Sequence, residues 1–185
     1  MAKKIGSLAD LEKLRGEILS RTDPDKRKVI VSGGTCGESR GSEKVCQAFI
    51  DEMKSQGVDG KIDLKYTGCH GFCEREPVVL ILPEEICYLG VKPEDVPEIV
   101  SETLVQDKVV ERLTYEDRQT GEKAVKESDI PFYKHQSRIV FGNNKLIDPK
   151  SIEDYIAIGG YEALAKALCQ MTPEKVLDEV KKANI

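Results

Sequence analysis

The 185-residue chain, 39 % hydrophobic, is long enough to bury one substantial core with an appendage, which excludes a disordered polypeptide. Its 28 basic and 33 acidic residues, net -5, are interspersed along the chain, and without a basic stripe a nucleic-acid grip is excluded. The start, Met1-Ala2-Lys3-Lys4-Ile5, holds no apolar stretch of signal-peptide length, and the longest apolar run, Val78–Leu82, is far too short to span a bilayer. The expectation is a soluble, cytoplasmic protein with no membrane insertion, whose six cysteines (Cys36, Cys46, Cys69, Cys73, Cys87, Cys169) serve as thiols or ligands and not as a disulfide framework.

Residues 1–27 predict an N-terminal helix: Ser7 with Asp10 three residues on reads as a helix start, and Leu8, Leu11, Ile18 and Leu19 form a stripe that Asp23-Pro24-Asp25 breaks. Lys28-Val29-Ile30-Val31-Ser32 reads as a strand running into a loop at Gly33-Gly34. From Ser42 the pattern turns helical, with Val45, Cys46, Phe49, Ile50 and Met53 on one face and Gly57 as a stop. Ile62, Leu64 and Tyr66 alternate with polar residues, as in a half-buried strand. Val78–Leu82 suits a strand buried on both faces, and Ile86 to Val91 returns after Pro83-Glu84-Glu85 as its hairpin partner. Asp95-Val96-Pro97-Glu98 resembles a capping box opening a helix that buries Val96, Ile99, Val100 and Leu104. Residues 28–116 therefore predict one α/β domain, a four-stranded sheet with a helix available for each face.

The polar stretch that follows, 117–130, reads as a linker, and 131–185 as a small, mostly helical region. There Asp148-Pro149 and Thr172-Pro173 each place a capping residue before a proline, and Gly159-Gly160 separates two helices.

Thr67-Gly68-Cys69-His70-Gly71-Phe72-Cys73 is the most informative run. Two thiolates four residues apart on a loop converge on one metal, while Gly68 and Gly71 let backbone amides approach sulfur. A 2Fe-2S cluster needs a second pair, and the loop after the first strand is its natural source. By spacing alone, an iron-sulfur cluster, zinc and thiol-disulfide exchange through Cys69 and Cys73 all stay open. Cys46 falls among the apolar positions of its helix, and Cys87 and Cys169 read as packing cysteines. His70 reads either as a charge that makes a cluster's potential depend on pH or as an exposed spectator, and His135 as a surface residue.

The run TGCHGFCEREPVV, followed by ICYLGVKPEDVPEIVSETL and VVERL, resembles the C-terminal half of the thioredoxin-like 2Fe-2S ferredoxins, and residues 29–49 resemble their first half less closely. Further on, IPFYKHQSRIVFGNNKLIDPKSIEDYIAIGGYEALAKAL resembles the start of the flavin-binding, NADH-oxidising subunit of complex I and its relatives in NAD-linked hydrogenases and formate dehydrogenases. The resemblance implies a thioredoxin-like four-stranded sheet with flanking helices and a small helical C-terminal region. It further implies a 2Fe-2S cluster for electron transfer and, as partners, other subunits of an NADH-dependent, multi-subunit oxidoreductase of the hydrogenase, formate dehydrogenase or complex I type. In such subunits the glycine-rich FMN loop follows the counterpart of EVKKANI, so FMN and NAD are expected only on a missing C-terminal part or a partner chain, and no complete catalytic site is expected here.

Within the resemblance the first-loop ligand positions fall on Ser32 and Gly37, with Cys36 one residue off the second. The expected ligands are Cys69, Cys73 and Cys36, with Cys46 or Ser32 as candidates for the fourth. The departure also motivates the alternative of a cluster-less thioredoxin-like module that docks partner subunits.

Overall fold

The computed structural model describes residues 5–184, which fall into two compact units, 24–149 and a second made of 5–23 with 150–184. The second unit begins with helix α1 (Leu8–Ser20), whose N-cap Ser7 accepts a hydrogen bond from the Asp10 amide.

The first unit holds strand β1 (Lys28–Ser32), helix α2 (Thr35–Ser39), helix α3 (Ser42–Ser55), strand β2 (Asp63–Thr67), strand β3 (Val78–Leu82) and strand β4 (Ile86–Leu89). The sheet runs β2-β1-β3-β4, with β2 parallel to β1 and β3 antiparallel to both β1 and β4. This is the thioredoxin-like α/β sheet expected from the sequence. A helix follows that opens as a 3-10 turn (Pro93–Asp95), passes through α4 (Val96–Glu98) and continues as a π-helix (Ile99–Val105). Its start lies a turn earlier than the sequence suggests: the Lys92 amide donates to Asp95 Oδ2 at 2.8 Å, so Asp95 closes the first turn instead of capping it.

Alternation along the strands sends neighbouring side chains to opposite faces. Val29, Val31, Val79, Ile81 and Tyr88 face one layer, where they bury Val45, Phe49 and Met53 of α3 together with Val96, Ile99, Val100 and Leu104. Both helices therefore sit on the same face, and the expectation of one helix per face fails. The opposite face, formed by Ile30, Val78, Leu80, Cys87 and Leu89, is covered by Ala124, Ile130 and Tyr133. These come from the stretch 117–130 and the residues just after it. That stretch is not an open linker. It carries β6 (Lys123–Ala124), which pairs with β5 (Tyr115–Glu116). It then runs along β4, the Cys87 amide donating to Val125 O at 2.9 Å and the Glu127 amide to Glu85 O at 3.0 Å. A strand edge and an apolar sheet face both need cover, and this polar segment supplies it with a few well-placed apolar side chains. Helix α5 (Pro131–Lys134) closes the layer.

Tyr88 ties the sheet to the helical layer on its first face. Its hydroxyl lies 2.6 Å from Thr103 Oγ1 and accepts from the Val110 amide at 3.1 Å, all three groups being buried. Tyr88→Phe leaves that amide and hydroxyl without a partner, and a loss of about 1–3 kcal/mol is expected in urea unfolding. An unchanged midpoint would show that neither bond contributes.

In the other unit α1 packs on α6 (Ile152–Ala157) and α7 (Glu162–Gln170), burying Leu11, Ile18 and Ile156, and α8 (Pro173–Ala183) follows. The N-cap of α6 is Ser151, whose hydroxyl accepts from the Asp154 amide, and not Asp148 as the sequence suggested; Thr172 caps α8 as expected. Cys169 is exposed, not packed. No described helix is long and apolar enough to cross a membrane.

Candidate metal centre

Two loops meet at the C-terminal ends of β1 and β2. The first leaves β1 through Gly33 and Gly34 and turns at once into α2, a short helix on which Cys36 sits, where the sequence had suggested only a loop. Gly33 is held by its amide donating to Thr67 O at 3.0 Å. A Cβ on Gly33 would lie 2.6 Å from that oxygen and 2.7 Å from the Tyr66 ring. Gly34, at φ +91°, passes Cys69 so closely that a Cβ there would lie 3.3 Å from the Cys69 Cβ. Two adjacent glycines are what allow the loops to touch. Gly33→Ala must push β1 and β2 apart at this end, and a destabilisation of about 2 kcal/mol is expected in denaturant melts. Wild-type stability in this variant would show that the loops can part freely.

The second loop carries Cys69 and, on a 3-10 turn (Cys73–Arg75), Cys73. Their sulfurs are 3.9 Å apart and both thiols are free. Two sulfurs bound at about 2.3 Å to one tetrahedral metal stand roughly 3.8 Å apart, so this pair is spaced for a single iron. The Gly71 amide, at a left-handed φ of +93°, donates to Cys69 Sγ at 3.2 Å, a bond of the kind that stabilises a thiolate. Cys36 lies on the first loop, two residues after the Gly34 that packs against Cys69. The interaction of its thiol with that of Cys73 is the largest influence raising its pKa, followed by the charge of Cys73 and by burial, while Glu76 raises it further and Arg40 lowers it. Arg40 ties the loops together, donating to Glu74 O at 2.8 Å.

Cys46 is not brought to this group. It lies half-buried against the α3 side of the sheet core, where burial first, then Asp148 and Glu43, raise its thiol pKa. Cys87 is wholly buried in the opposite layer and its thiol is likewise raised by burial. His70 is buried rather than exposed: its Nε2 lies 2.9 Å from Thr67 Oγ1, and burial, with Arg138 and Lys145 adding to it, lowers its pKa to about 3. A neutral, buried imidazole gives no charge with which to tune a centre near neutral pH.

Three features were not legible in the sequence. Arg138 donates to His70 O at 2.6 Å and Asn144 to Cys69 O at 2.9 Å, so residues that follow α5 clamp the cysteine loop from outside. Phe132 stacks on Phe72 of that loop, ring centroids 4.2 Å apart and nearly parallel. Glu76 is the third. Only 2 % exposed, it has one carboxylate oxygen, Oε2, hydrogen-bonded by the Ser32 hydroxyl and by the Val78 amide at 3.0 Å, while Oε1 is buried with no hydrogen-bond partner. The nearest sequence hint was Ser32 at a position where a ligand was expected.

Among the described residues no three His, Cys, Asp or Glu side chains surround a single point as a ready-made ion site. A 2Fe-2S cluster asks for something else, two pairs of protein ligands, one pair on each iron. The Cys69–Cys73 spacing meets the first requirement, and Cys36 on the adjoining loop, with the orphaned Glu76 oxygen at the end of β1, offers material for the second, so the residues fit such a group.

The model of the family described as thioredoxin-like [2Fe-2S] ferredoxin matches residues 17–105. A 2Fe-2S ferredoxin of Clostridium pasteurianum is 33 % identical over 75 residues, which cover 40 % of this chain and 74 % of that protein. This chain belongs to the thioredoxin-like [2Fe-2S] ferredoxin family. A 2Fe-2S ferredoxin of Aquifex aeolicus is 40 % identical to this ferredoxin over 81 residues, 43 % of the chain and 72 % of the relative. The subunit HndC of an NADP-reducing hydrogenase from Solidesulfovibrio fructosivorans is 54 % identical over 52 residues, 28 % of this chain but only 10 % of that subunit.

Proposed function

We propose that this ferredoxin carries single electrons within a multi-subunit oxidoreductase, its cluster held by Cys69 and Cys73 on one iron and by Cys36 on the other. The observation that carries the reading is the 3.9 Å sulfur pair, on a loop against which the glycine turn ahead of Cys36 packs. The bound cluster would supply a one-electron redox couple. The protein's own part is to hold the thiolates, donate the Gly71 amide to sulfur, and shield one side with the Phe72–Phe132 stack. Cys36 and Cys73 are exposed, which leaves a short path for an electron to a partner docked against these loops. No substrate chemistry is assigned to these residues.

The similarity to the HndC hydrogenase subunit supports a place in an NAD(P)-linked hydrogenase or a related complex, with FMN and NAD bound outside the residues described. Anaerobic purification followed by iron and sulfide analysis tests the carrier itself. Two irons and two sulfides per chain, with visible bands that bleach on reduction and a paramagnetic resonance signal that appears, are the expected result. Iron-free protein even after reconstitution would leave only a docking role.

A further inference from the structure

We infer that the Glu76 carboxylate, through Oε1, is the fourth ligand of the cluster, so that one iron is bound by Cys69 and Cys73 and the other by Cys36 and an oxygen. The inference rests on the electron-carrier reading above and deepens it.

Cys69 and Cys73 pair at this end of the sheet, Cys36 follows the Gly34 turn that packs against Cys69, and Cys46 is engaged elsewhere, so a complete set needs one more donor. The position where the family resemblance leads one to expect a thiolate, at the end of β1, holds Ser32, and its short side chain reaches Glu76 instead of a metal. Glu76 follows the Cys73–Arg75 turn directly and is tied to Ser32 at the end of β1, from which the loop to Cys36 departs. The two carboxylate oxygens have divided roles. Oε2 takes hydrogen bonds from Ser32 and Val78, whose amide also donates to Ser32 Oγ at 2.9 Å, which fixes the side chain's orientation. Oε1 has no partner although it is buried. Leaving a carboxylate oxygen desolvated and unpaired is unfavourable, and a ligating carboxylate shows this same division, one oxygen on the metal and the other hydrogen-bonded by its surroundings. Arg40, held over this turn by its bond to Glu74 O, balances part of the negative charge.

Ligation forms one iron–oxygen bond, and any proton on the carboxyl leaves to solvent. No electron moves. Three thiolates and one carboxylate bring the same four negative charges as four thiolates, so the charge of the assembled centre is unchanged.

The test compares the full chain with Glu76→Gln and Glu76→Cys after anaerobic reconstitution with iron-57 and sulfide. The wild type should show two distinguishable iron environments by Mössbauer spectroscopy, the oxygen-bound site having the larger isomer shift. Glu76→Gln should retain about tenfold less cluster after gel filtration. Glu76→Cys should restore full loading with two nearly equivalent irons, which also guards against Glu76→Gln merely misfolding. If the loaded wild type already has equivalent irons, or Glu76→Gln loads fully with an unchanged spectrum, the ligand assignment falls and the carrier reading stands. If the wild type takes up no iron, both fall.

Discussion

Cys73→Ala is expected to leave the protein colourless after anaerobic reconstitution, with iron content at background. One iron would keep Cys69 alone of its pair, and a cluster needs two protein ligands on each iron. Alanine is the right replacement, because a serine hydroxyl at 73 could itself bind iron. The fold should survive. Cys73 is exposed, and apo-protein stability should change by no more than about 0.5 kcal/mol. The matched control is Cys46→Ala, which should keep the wild-type iron content while losing about 1 kcal/mol from the packing against the sheet core. Iron lost from Cys46→Ala but retained by Cys73→Ala would move the centre onto α3 and overturn the proposed ligand set.

Glu127→Ala should give the largest stability loss outside the apolar core, about 3 kcal/mol in urea unfolding of the apo-protein. Glu127 is 4 % exposed and receives both Arg138, at 3.3 Å, and Lys145. Removing the acid strands two cations in a partly desolvated place, and a stranded buried charge is worse than a missing pair. The consequence reaches the centre. Arg138 also holds His70 O, and Asn144, next to Lys145, holds Cys69 O. A freed Arg138–Lys145 segment should therefore release cluster to a chelator several-fold faster. Asn144→Ala should reproduce the faster release with little change in the melt, which separates loop clamping from global stability. Equal release rates in all three proteins would show that the segment only covers the sheet.

Much of the ferredoxin fold is legible in the amino-acid sequence. The β1 run, the β3–β4 hairpin and the α3 stripe are local signals, set by apolar period and by glycine and proline at the breaks, and each element forms within a residue or two of where those signals place it. The burial of β3 on both faces follows from its unbroken apolar run. What covers its second face does not follow. Ala124, Ile130 and Tyr133 are too sparse to show a period, and their segment pairs with the β4 edge through backbone groups, which carry no sequence signature.

The same division runs through the candidate centre. Cys69, Cys73 and the glycines around them announce themselves because a closely spaced thiol pair and the left-handed backbone beside it are local features. The separation of Cys46 from the cysteine loop and the surroundings of Glu76, Arg138 and Asn144 depend on contacts between residues far apart in the chain, 44 positions for Ser32 with Glu76 and 75 for Asn144 with the Cys69 carbonyl. By itself the sequence determined the family, the sheet and the close pair of cysteines, since those are written in short-range spacing. Only the tertiary structure decided which side chains surround that pair, because a carboxylate or a guanidinium takes its role from the desolvated partner that folding brings to it.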